Sequence, residues 1–318
     1  MLLIQEFVDK VSKDAYGGSA ELVDDAILCF VNELKEGKFT SAQAVAKRME
    51  ENVDSVLRVC SPILPLINLL NLCMQFVEEV QEKGYQTAEA IAKGCEFLEN
   101  RRAEQASCLD RIGEIGEKMV PDGGKFSTFS TSGSVMSILE KVKAKGKKIS
   151  VTCHEAHPHN EGYRTFREVA ELGFPVTIGT DAAITDLVPK SDIFVIGADA
   201  ITSIGQVYAK MGSYLAALAC KEFAVPFYVA ADTSKFDLLS MLGLPLKDSS
   251  RPYEEVADME VPAGCRIANV TFELIPPALI TGIITEKGVV SPGSISGMMN
   301  PEKMSVRMVD KLIRWAAN

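Results

Sequence analysis

Ile193-Phe-Val-Ile-Gly-Ala-Asp199 is a continuously apolar run that ends in a glycine, an alanine and an acid. Phe227-Tyr-Val-Ala230 is a second run of the same kind. Apolar runs of this length are typical of strands in a parallel sheet, because helices cover both faces of such a sheet. The two segments therefore predict the centre of an α/β domain.

The sequence around these runs, from about residue 120, alternates short β-rich stretches with helical ones. We predict strands at 125–130, 148–153, 175–180, 193–199 and 226–231, and helices at 135–145, 163–171, 184–188 and 209–223. This alternation predicts a doubly wound, Rossmann-like parallel sheet. Ligands bind such sheets at the carboxyl ends of the strands, so the residues directly after each strand are the candidate site residues.

Residues 1–118 have a helical pattern instead. Apolar side chains recur at intervals of three and four between residues 21 and 34, and hydroxyl residues at Thr40-Ser41 and Thr87 mark helix starts. We therefore predict an α/β protein with a helical N-terminal domain at 1–118. A Rossmann-like α/β domain follows at 119–318, with its ligand pocket at the strand ends.

The composition excludes several functional classes. The 318 residues include 33 Lys+Arg and 43 Asp+Glu, a net charge of −10, which argues against direct nucleic-acid binding. The most apolar stretch, 61–77, is too short and too polar for a membrane span, and the first residues lack a signal-peptide pattern. Eight cysteines without a C-x-x-C pair fit a reducing compartment. We expect a cytoplasmic protein without membrane contact.

The stretch after the first strand suits a phosphate. Ser132, Gly133 and Ser134 lead directly into a helix, where free backbone N–H groups and the helix dipole favour an anion. A simple serine cap is the alternative interpretation.

The stretch after the second strand, Cys153-His-Glu-Ala-His-Pro-His159, contains all three histidines. These are zinc-ligand types, but the spacing is not H-E-x-x-H, and Pro158 prevents one helix from carrying both His157 and His159. We therefore favour a polar pocket edge or a solvated loop and keep a metal site as the alternative.

Acid–base chemistry and anion binding are predicted at later strand ends. Asp199 follows a buried strand, and a carboxylate in that position is a candidate for a raised pKa, or else for helix capping. Lys235 follows the fifth strand as an anion partner or a solvated loop residue. The ingredients of a Ser-His-Asp hydrolase also occur, without a G-x-S-x-G motif: Ser130 or Ser132, His154 or His157, and Asp181 or Asp199.

Four stretches resemble one known superfamily. They are Ile196-Gly-Ala-Asp-Ala-Ile-Thr, Ala209-Lys-Met-Gly-Ser-Tyr, Val225-Pro-Phe-Tyr-Val-Ala-Ala-Asp-Thr-Ser-Lys-Phe and Ile275-Pro-Pro-Ala-Leu-Ile-Thr-Gly. The superfamily contains the alpha, beta and delta subunits of eukaryotic translation initiation factor 2B, methylthioribose-1-phosphate isomerase and ribose-1,5-bisphosphate isomerase. Tyr16-Gly-Gly-Ser-Ala is similar to its N-terminal glycine-rich turn.

The resemblance implies a set of site residues. Asp199 matches the catalytic aspartate of the isomerases, whereas Ser130 stands at the position of their catalytic cysteine. Tyr16 and His157 stand where the superfamily has arginines. No cofactor and no metal is implied. The phosphate- or ligand-binding residues expected from resemblance and strand-end position are Gly17, Gly18, Ser19, Ser132, Gly133, Ser134, His157, Lys210 and Lys235.

The exchange of cysteine for serine decides the expected function. A serine hydroxyl is far less acidic than a thiol, whose pKa is about 8.5, and it needs a neighbouring base to move protons. His154 or His157 could supply that base. We therefore expect a protein like initiation factor 2B that binds a small phosphorylated ligand, a sugar or nucleotide phosphate, with a translation factor as a possible protein partner.

Two alternatives remain. The first is an aldose–ketose isomerase acting on ribose 1,5-bisphosphate or a sugar like methylthioribose 1-phosphate, with Asp199 as acid and base and Ser130 in the role of the thiol. The second is a metal or serine hydrolase that uses the histidine cluster.

The resemblance also implies a homodimer or higher homo-oligomer. In the C-terminal helix predicted over 301–317, an apolar stripe is consistent with that assembly, or else packs on the chain's own sheet. The stripe comprises Met304, Met308, Leu312 and Trp315.

Overall fold

The computed structural model describes residues 3–12, 18–60, 63–243, 250–300 and 304–317. The chain forms two compact units. The first comprises Met1–Ser107, Asp237–Lys247 and Asn300–Asn318, and the second comprises Cys108–Phe236 and Asp248–Met299.

The first unit is helical, as the sequence predicts for its N-terminal part. Ser41 caps the third helix by accepting a hydrogen bond from the Ala44 N–H, and Gly84 ends the fourth helix in the left-handed region. The apolar side chains of the second helix are buried in a common core with those of its neighbours. The helices are α1 Ile4–Ser12, α2 Ser19–Glu36, α3 Ala42–Val59, α4 Leu64–Lys83 and α5 Thr87–Glu117.

The second unit contains the predicted α/β sheet. Its order is β11-β10-β7-β4-β1-β2-β3, parallel except for the antiparallel pair β10 and β11, and a smaller sheet has the order β8-β5-β6-β9. The strands are β1 Lys125–Phe129, β2 Ser150–His154, β3 Val176–Gly179, β4 Ile193–Ile196, β5 Ala200–Thr202, β6 Val207–Lys210, β7 Phe227–Ala230, β8 Phe236–Asp237, β9 Phe272–Ile275, β10 Gly282–Thr285 and β11 Gly288–Val290. The helices are α6 Gly133–Ala144, α7 Gly162–Glu171, α8 Ile184–Leu187 and α9 Ser213–Glu222.

The predicted strands correspond to β1, β2, β3, β4 and β7, the parallel core of the large sheet. The smaller sheet was not predicted, because its strands are only two to four residues long. The helix predicted at 209–223 is partly wrong: β6 occupies 209–210, and α9 begins only at Ser213. Gly212 separates the two elements with a φ of +102°, a backbone conformation that favours glycine.

The C-terminal helix, α10 Val306–Ala317, belongs to the first unit. Met308 and Leu312 are buried in the helical core of that unit, with Met304 and Trp315 packed against it. The apolar stripe is therefore neither packed on the sheet nor left exposed for a second copy of the chain. It gives no support to the expected homo-oligomer. The predicted boundary at 118 also differs from the division of the units, which falls within α5 and returns 237–247 and 300–318 to the helical unit.

Two structural features bear on the compartment expected from the sequence: the length and apolarity of the helices, and the state of the cysteines. No helix in the described ranges is both long and apolar enough to cross a bilayer. All eight cysteines are free thiols, and burial raises the pKa of Cys29, Cys153 and Cys220 to about 12.

Asp237, the last residue of β8, is a buried acid. Its Oδ1 accepts a hydrogen bond from the Leu239 N–H at 3.0 Å, whereas its Oδ2 has no hydrogen-bond partner within the described part of the chain. Burial raises the pKa of this carboxyl from 3.8 to about 6. The folded protein thus holds this proton more tightly than the unfolded chain does.

The contribution of Asp237 to the free energy of unfolding should therefore fall as the pH rises. The contribution of Asp237 is fully present below the unfolded pKa of 3.8 and is lost as the pH passes about 6, a change of about 3 kcal/mol. We expect Asp237→Asn to remove this part of the pH dependence in urea unfolding measured from pH 4 to 7. The control is Asp310→Asn at an exposed position of α10, which should leave the wild-type slope. Parallel curves for wild type and Asp237→Asn would contradict the prediction.

Candidate functional site

Ser130 lies directly after β1, at the carboxyl edge of the large sheet. Its φ is +63°, a left-handed conformation that costs a residue with a Cβ roughly 1–2 kcal/mol. The backbone oxygen of Ser130 accepts a hydrogen bond from Thr165 Oγ1 at 2.9 Å, and its hydroxyl donates to Glu161 Oε2 at 2.6 Å. The side chain is buried and fixed in direction.

Glu161 lies immediately before α7 and joins two strand ends. Its Oε2 accepts from Ser130, and its Oε1 accepts from Lys210 Nζ at 3.0 Å. Lys210 ends β6, and its ammonium lies 4.7 Å from the centre of the Phe272 ring. Glu161 was not among the site residues predicted from the sequence. The available signal was a glutamate two residues before the helix predicted at 163–171; in the structure it is the N-cap of α7, a position where Ser, Thr, Asp or Asn is preferred.

Asp199 follows β4 as predicted, and its N–H donates to the Tyr208 carbonyl at 2.8 Å. Enclosure by protein raises the pKa of its carboxyl; the charges of Lys235 and Lys210 oppose this rise, and that of Glu161 adds to it. The helix-capping alternative is wrong, because Asp199 leads into β5 and not into a helix.

Lys235 is directed to the same strand end. Its Nζ donates to the carbonyl oxygen of Ala198, the residue before Asp199. The alternative of a solvated loop lysine is therefore wrong. The second unit thus brings together a hydroxyl, two carboxyls and two ammonium groups: Ser130, Glu161, Asp199, Lys210 and Lys235.

Ser132 is the N-cap of α6, and its Oγ accepts from the Val135 N–H at 3.4 Å. A Cβ at residue 197 would overlap Ser132, so only glycine allows β4 and this turn to approach so closely. The capping interpretation of Ser132 is confirmed. Anion binding by the N–H groups of Gly133 and Ser134 stays a prediction.

The three histidines do not converge. His154 is buried and stacks between Phe129 and Phe194, at ring distances of 6.0 Å, and burial lowers its pKa. His159 Nε2 lies 3.3 Å from Glu255 Oε2. Within the ranges that the structure describes, no group of three or more His, Cys, Asp or Glu residues could hold a metal ion.

Asp181 has a structural role in the histidine loop. Its carboxylate accepts hydrogen bonds from the backbone N–H groups of Ala156 at 2.9 Å and His157 at 2.8 Å. Since the Ser130 hydroxyl is bonded to Glu161, the structure shows no Ser-His-Asp arrangement among these residues. Ligand binding by the His157 side chain stays a prediction.

The N-terminal glycine-rich turn is described only in part. Gly17 lies outside the described residues. Gly18 is the N-cap of α2 and Ser19 is its first residue, both in the first unit. Their expected contact with a ligand stays a prediction.

Cys153 does not replace the missing thiol. It lies inside β2, paired with Thr128 of β1 and fully buried, and burial raises its pKa to about 12. A thiol with this pKa is protonated near neutral pH and is a poor nucleophile or base. Cys153 therefore cannot act as the base for the Ser130 hydroxyl.

Comparison with known proteins gives the family. The family model described as "Initiation factor 2 subunit family" matches residues 16–292, and these include every residue assembled at the strand ends. The chain belongs to this family. Its fold, a helical region followed by a mostly parallel sheet with helices, is shared with solved structures.

Relatives of the chain have two kinds of name. Ribose 1,5-bisphosphate isomerase from Archaeoglobus fulgidus is 30% identical over 293 residues, covering 91% of this chain and 90% of that protein. The structure of translation initiation factor eIF-2B from Pyrococcus horikoshii matches with a TM-score of 0.73 and 29% identity, covering 91% and 97%. That of 5-methylthioribose 1-phosphate isomerase from the same organism matches with a TM-score of 0.76 and 20% identity, covering 98% and 87%. Relatives of this chain thus include proteins named sugar-phosphate isomerases, the enzyme class that the sequence predicts if this chain is an enzyme.

Gly162 makes the position of Glu161 possible. A Cβ at residue 162 would overlap the backbone carbonyl of His154, so α7 begins closer to β2 than any other residue allows. We expect Gly162→Ala to destabilise the protein by about 1–3 kcal/mol in denaturant unfolding, because the helix start must move. Gly297→Ala, where a Cβ meets open space, is the matched control. Equal midpoints for the two variants would show that the close approach is unimportant.

Proposed function

We propose that this protein is an aldose–ketose isomerase acting on a pentose 1-phosphate such as ribose 1,5-bisphosphate. The observation that carries the proposal is the setting of Asp199, whose carboxyl has a raised pKa and interacts electrostatically with Lys235, Lys210 and the Glu161 that binds Ser130. The long match to a relative named ribose 1,5-bisphosphate isomerase supports the same substrate class.

Isomerisation of a furanose 1-phosphate moves one hydrogen from C2 to C1. An acid must protonate the ring oxygen as the C1–O4 bond breaks, while a base takes the proton from C2 and the C–H electron pair forms the C1=C2 bond. The proton is then delivered to C1, and the C2 hydroxyl becomes the ketone. Asp199 is suited to the acid role, because its raised pKa favours the protonated form nearer to neutral pH.

The remaining groups are suited to the anionic substrate. The ammonium groups of Lys210 and Lys235 can pair with phosphate oxygens, and the start of α6 at Gly133 and Ser134 offers backbone N–H groups. The residues predicted from the sequence to bind phosphate thus include groups at the carboxyl ends of the strands.

A turnover assay tests the proposal. Purified protein is mixed with ribose 1,5-bisphosphate, methylthioribose 1-phosphate or ribose 5-phosphate, and the ketose is followed by NMR. We expect product from a 1-phosphate sugar and a loss of at least ~100-fold in kcat for Asp199→Asn, because the amide cannot donate the proton. Asp186→Asn, at an exposed acid on α8, should keep wild-type turnover. Wild-type turnover in Asp199→Asn would exclude Asp199 as the acid.

A second candidate function is a family member that binds a sugar or nucleotide phosphate without turnover and acts through protein partners. The serine at the expected cysteine position favours it, since a hydroxyl alone is a weak base. Binding of ribose 1,5-bisphosphate by calorimetry, with no ketose formed, would support this function and overturn the isomerase.

Lys235 separates ligand binding from chemistry. We expect Lys235→Met to weaken binding of ribose 1,5-bisphosphate about 10–100-fold in calorimetry, because a charge-assisted hydrogen bond to phosphate is lost. Lys190→Met is the control, since Lys190 is exposed and pairs with Asp186 on the surface. Unchanged affinity in Lys235→Met would remove Lys235 from the binding site.

A further inference from the structure

The proposed reaction lacks a base of adequate strength if Ser130 acts alone. A serine hydroxyl takes a proton from carbon only if another group takes its own proton at the same time. The sequence offered His154 and His157 for that task. His154 stacks between two phenylalanine rings, and Asp181 holds the loop of His157 through its backbone N–H. The group that the Ser130 hydroxyl contacts is Glu161, at 2.6 Å.

The contact has the direction that proton transfer requires. The Ser130 hydroxyl donates to Glu161 Oε2, so the proton already points at the carboxylate. Lys210 binds the other oxygen, Oε1, at 3.0 Å, which leaves Oε2 for the serine alone. Thr165 holds the Ser130 carbonyl, and the close approach at Gly162 fixes the residue after Glu161. These three contacts limit the movement of the pair.

We propose that Glu161 acts through Ser130 as a positioning residue that accepts the serine proton, so that the Ser130–Glu161 pair replaces a catalytic thiol. This inference rests on the proposed isomerase function. It adds to that function a residue that the sequence did not single out, and it explains how a serine site can move a proton from carbon.

The step balances in both halves. As C2–H breaks, its proton passes to Ser130 Oγ, the proton of Ser130 passes to Glu161 Oε2, and Asp199 protonates O4 as C1–O4 breaks. In the second half, Ser130 Oγ–H protonates C1 and Glu161 returns its proton to Ser130. The proton of the C2 hydroxyl passes to Asp199 as the ketone forms. C1 is reduced, C2 is oxidised, and no external reactant is needed.

The two carboxyls of the site are suited to opposite roles. Glu161 accepts hydrogen bonds from a hydroxyl and an ammonium, which is how an ionised carboxylate is solvated inside a protein. Its charge adds to the burial that raises the pKa of Asp199. Glu161 thus accepts hydrogen bonds, while its charge helps Asp199 to hold the proton that it donates.

The first test is the kinetics of Glu161→Gln with ribose 1,5-bisphosphate. The amide keeps the size of the side chain and cannot accept the proton. We expect kcat to fall at least ~100-fold while KM changes less than about threefold, since the loss is confined to the transition state. Glu168→Gln, which changes an acid paired with Arg164 on the same helix, is the matched control and should have wild-type kinetics.

The second test separates the proton relay from a structural role. If the pair acts as a unit, Glu161→Gln should cost less than about threefold further once Ser130→Ala has removed the hydroxyl. In the Ser130→Cys background, the cost of Glu161→Gln should fall below about tenfold, because a thiol of pKa near 8.5 is partly ionised near neutral pH and its thiolate can accept the proton from C2 without Glu161. A structural role of Glu161 would give the same loss in all three backgrounds.

The outcomes distinguish the two proposals. Turnover by wild type that persists in Glu161→Gln, or losses that multiply in the double variant with Ser130→Ala, would overturn the role of Glu161 and leave the isomerase intact. A wild-type protein that forms no ketose from any of the three sugars would overturn both.

Discussion

The contact of the Glu161 carboxylate with both the Ser130 hydroxyl and the Lys210 ammonium organises this site. It joins the end of β1 in the large sheet to the end of β6 in the small one through two hydrogen bonds, of 2.6 and 3.0 Å. Hydrogen bonds to an ionised group are stronger than neutral ones and are costly to break inside a protein. The left-handed conformation of Ser130 is maintained in this setting, together with the hydrogen bond from Thr165.

Close approach of the backbone is the second constraint on the site at the carboxyl ends of the strands. Gly162 allows α7 to begin against the end of β2, and Gly197 allows Ser132 to lie against the end of β4. Neither glycine has chemistry of its own, but each determines where a functional neighbour stands. The two acids of the site then differ by environment: Asp199 is enclosed and its pKa is raised, whereas Glu161 is bound by a hydroxyl and an ammonium.

The sequence predicted the parallel core well because that core is encoded locally. The apolar runs at 193–196 and 227–230 are buried strands, and the acid and lysine that follow them lie at one strand edge, as chain topology requires. The small antiparallel sheet escaped prediction because its strands are too short to have a clear period. The apolar stripe of α10 was correctly recognised, but the surface that it packs on, the helical core of the first unit, depends on the fold.

The sequence by itself determined the α/β class, the edge of the sheet at which chemistry is possible and the absence of a thiol at Ser130. It did so because strand periodicity and residue identity are local properties. Only the tertiary structure decided which base stands beside Ser130. Several side chains that could accept a proton follow Ser130 in the sequence: the three histidines, Glu161 and Asp181. The turn before α7 places Glu161 against the Ser130 hydroxyl, whereas Asp181 holds the histidine loop. Contacts between residues 31 positions apart arise from packing, which no local pattern encodes.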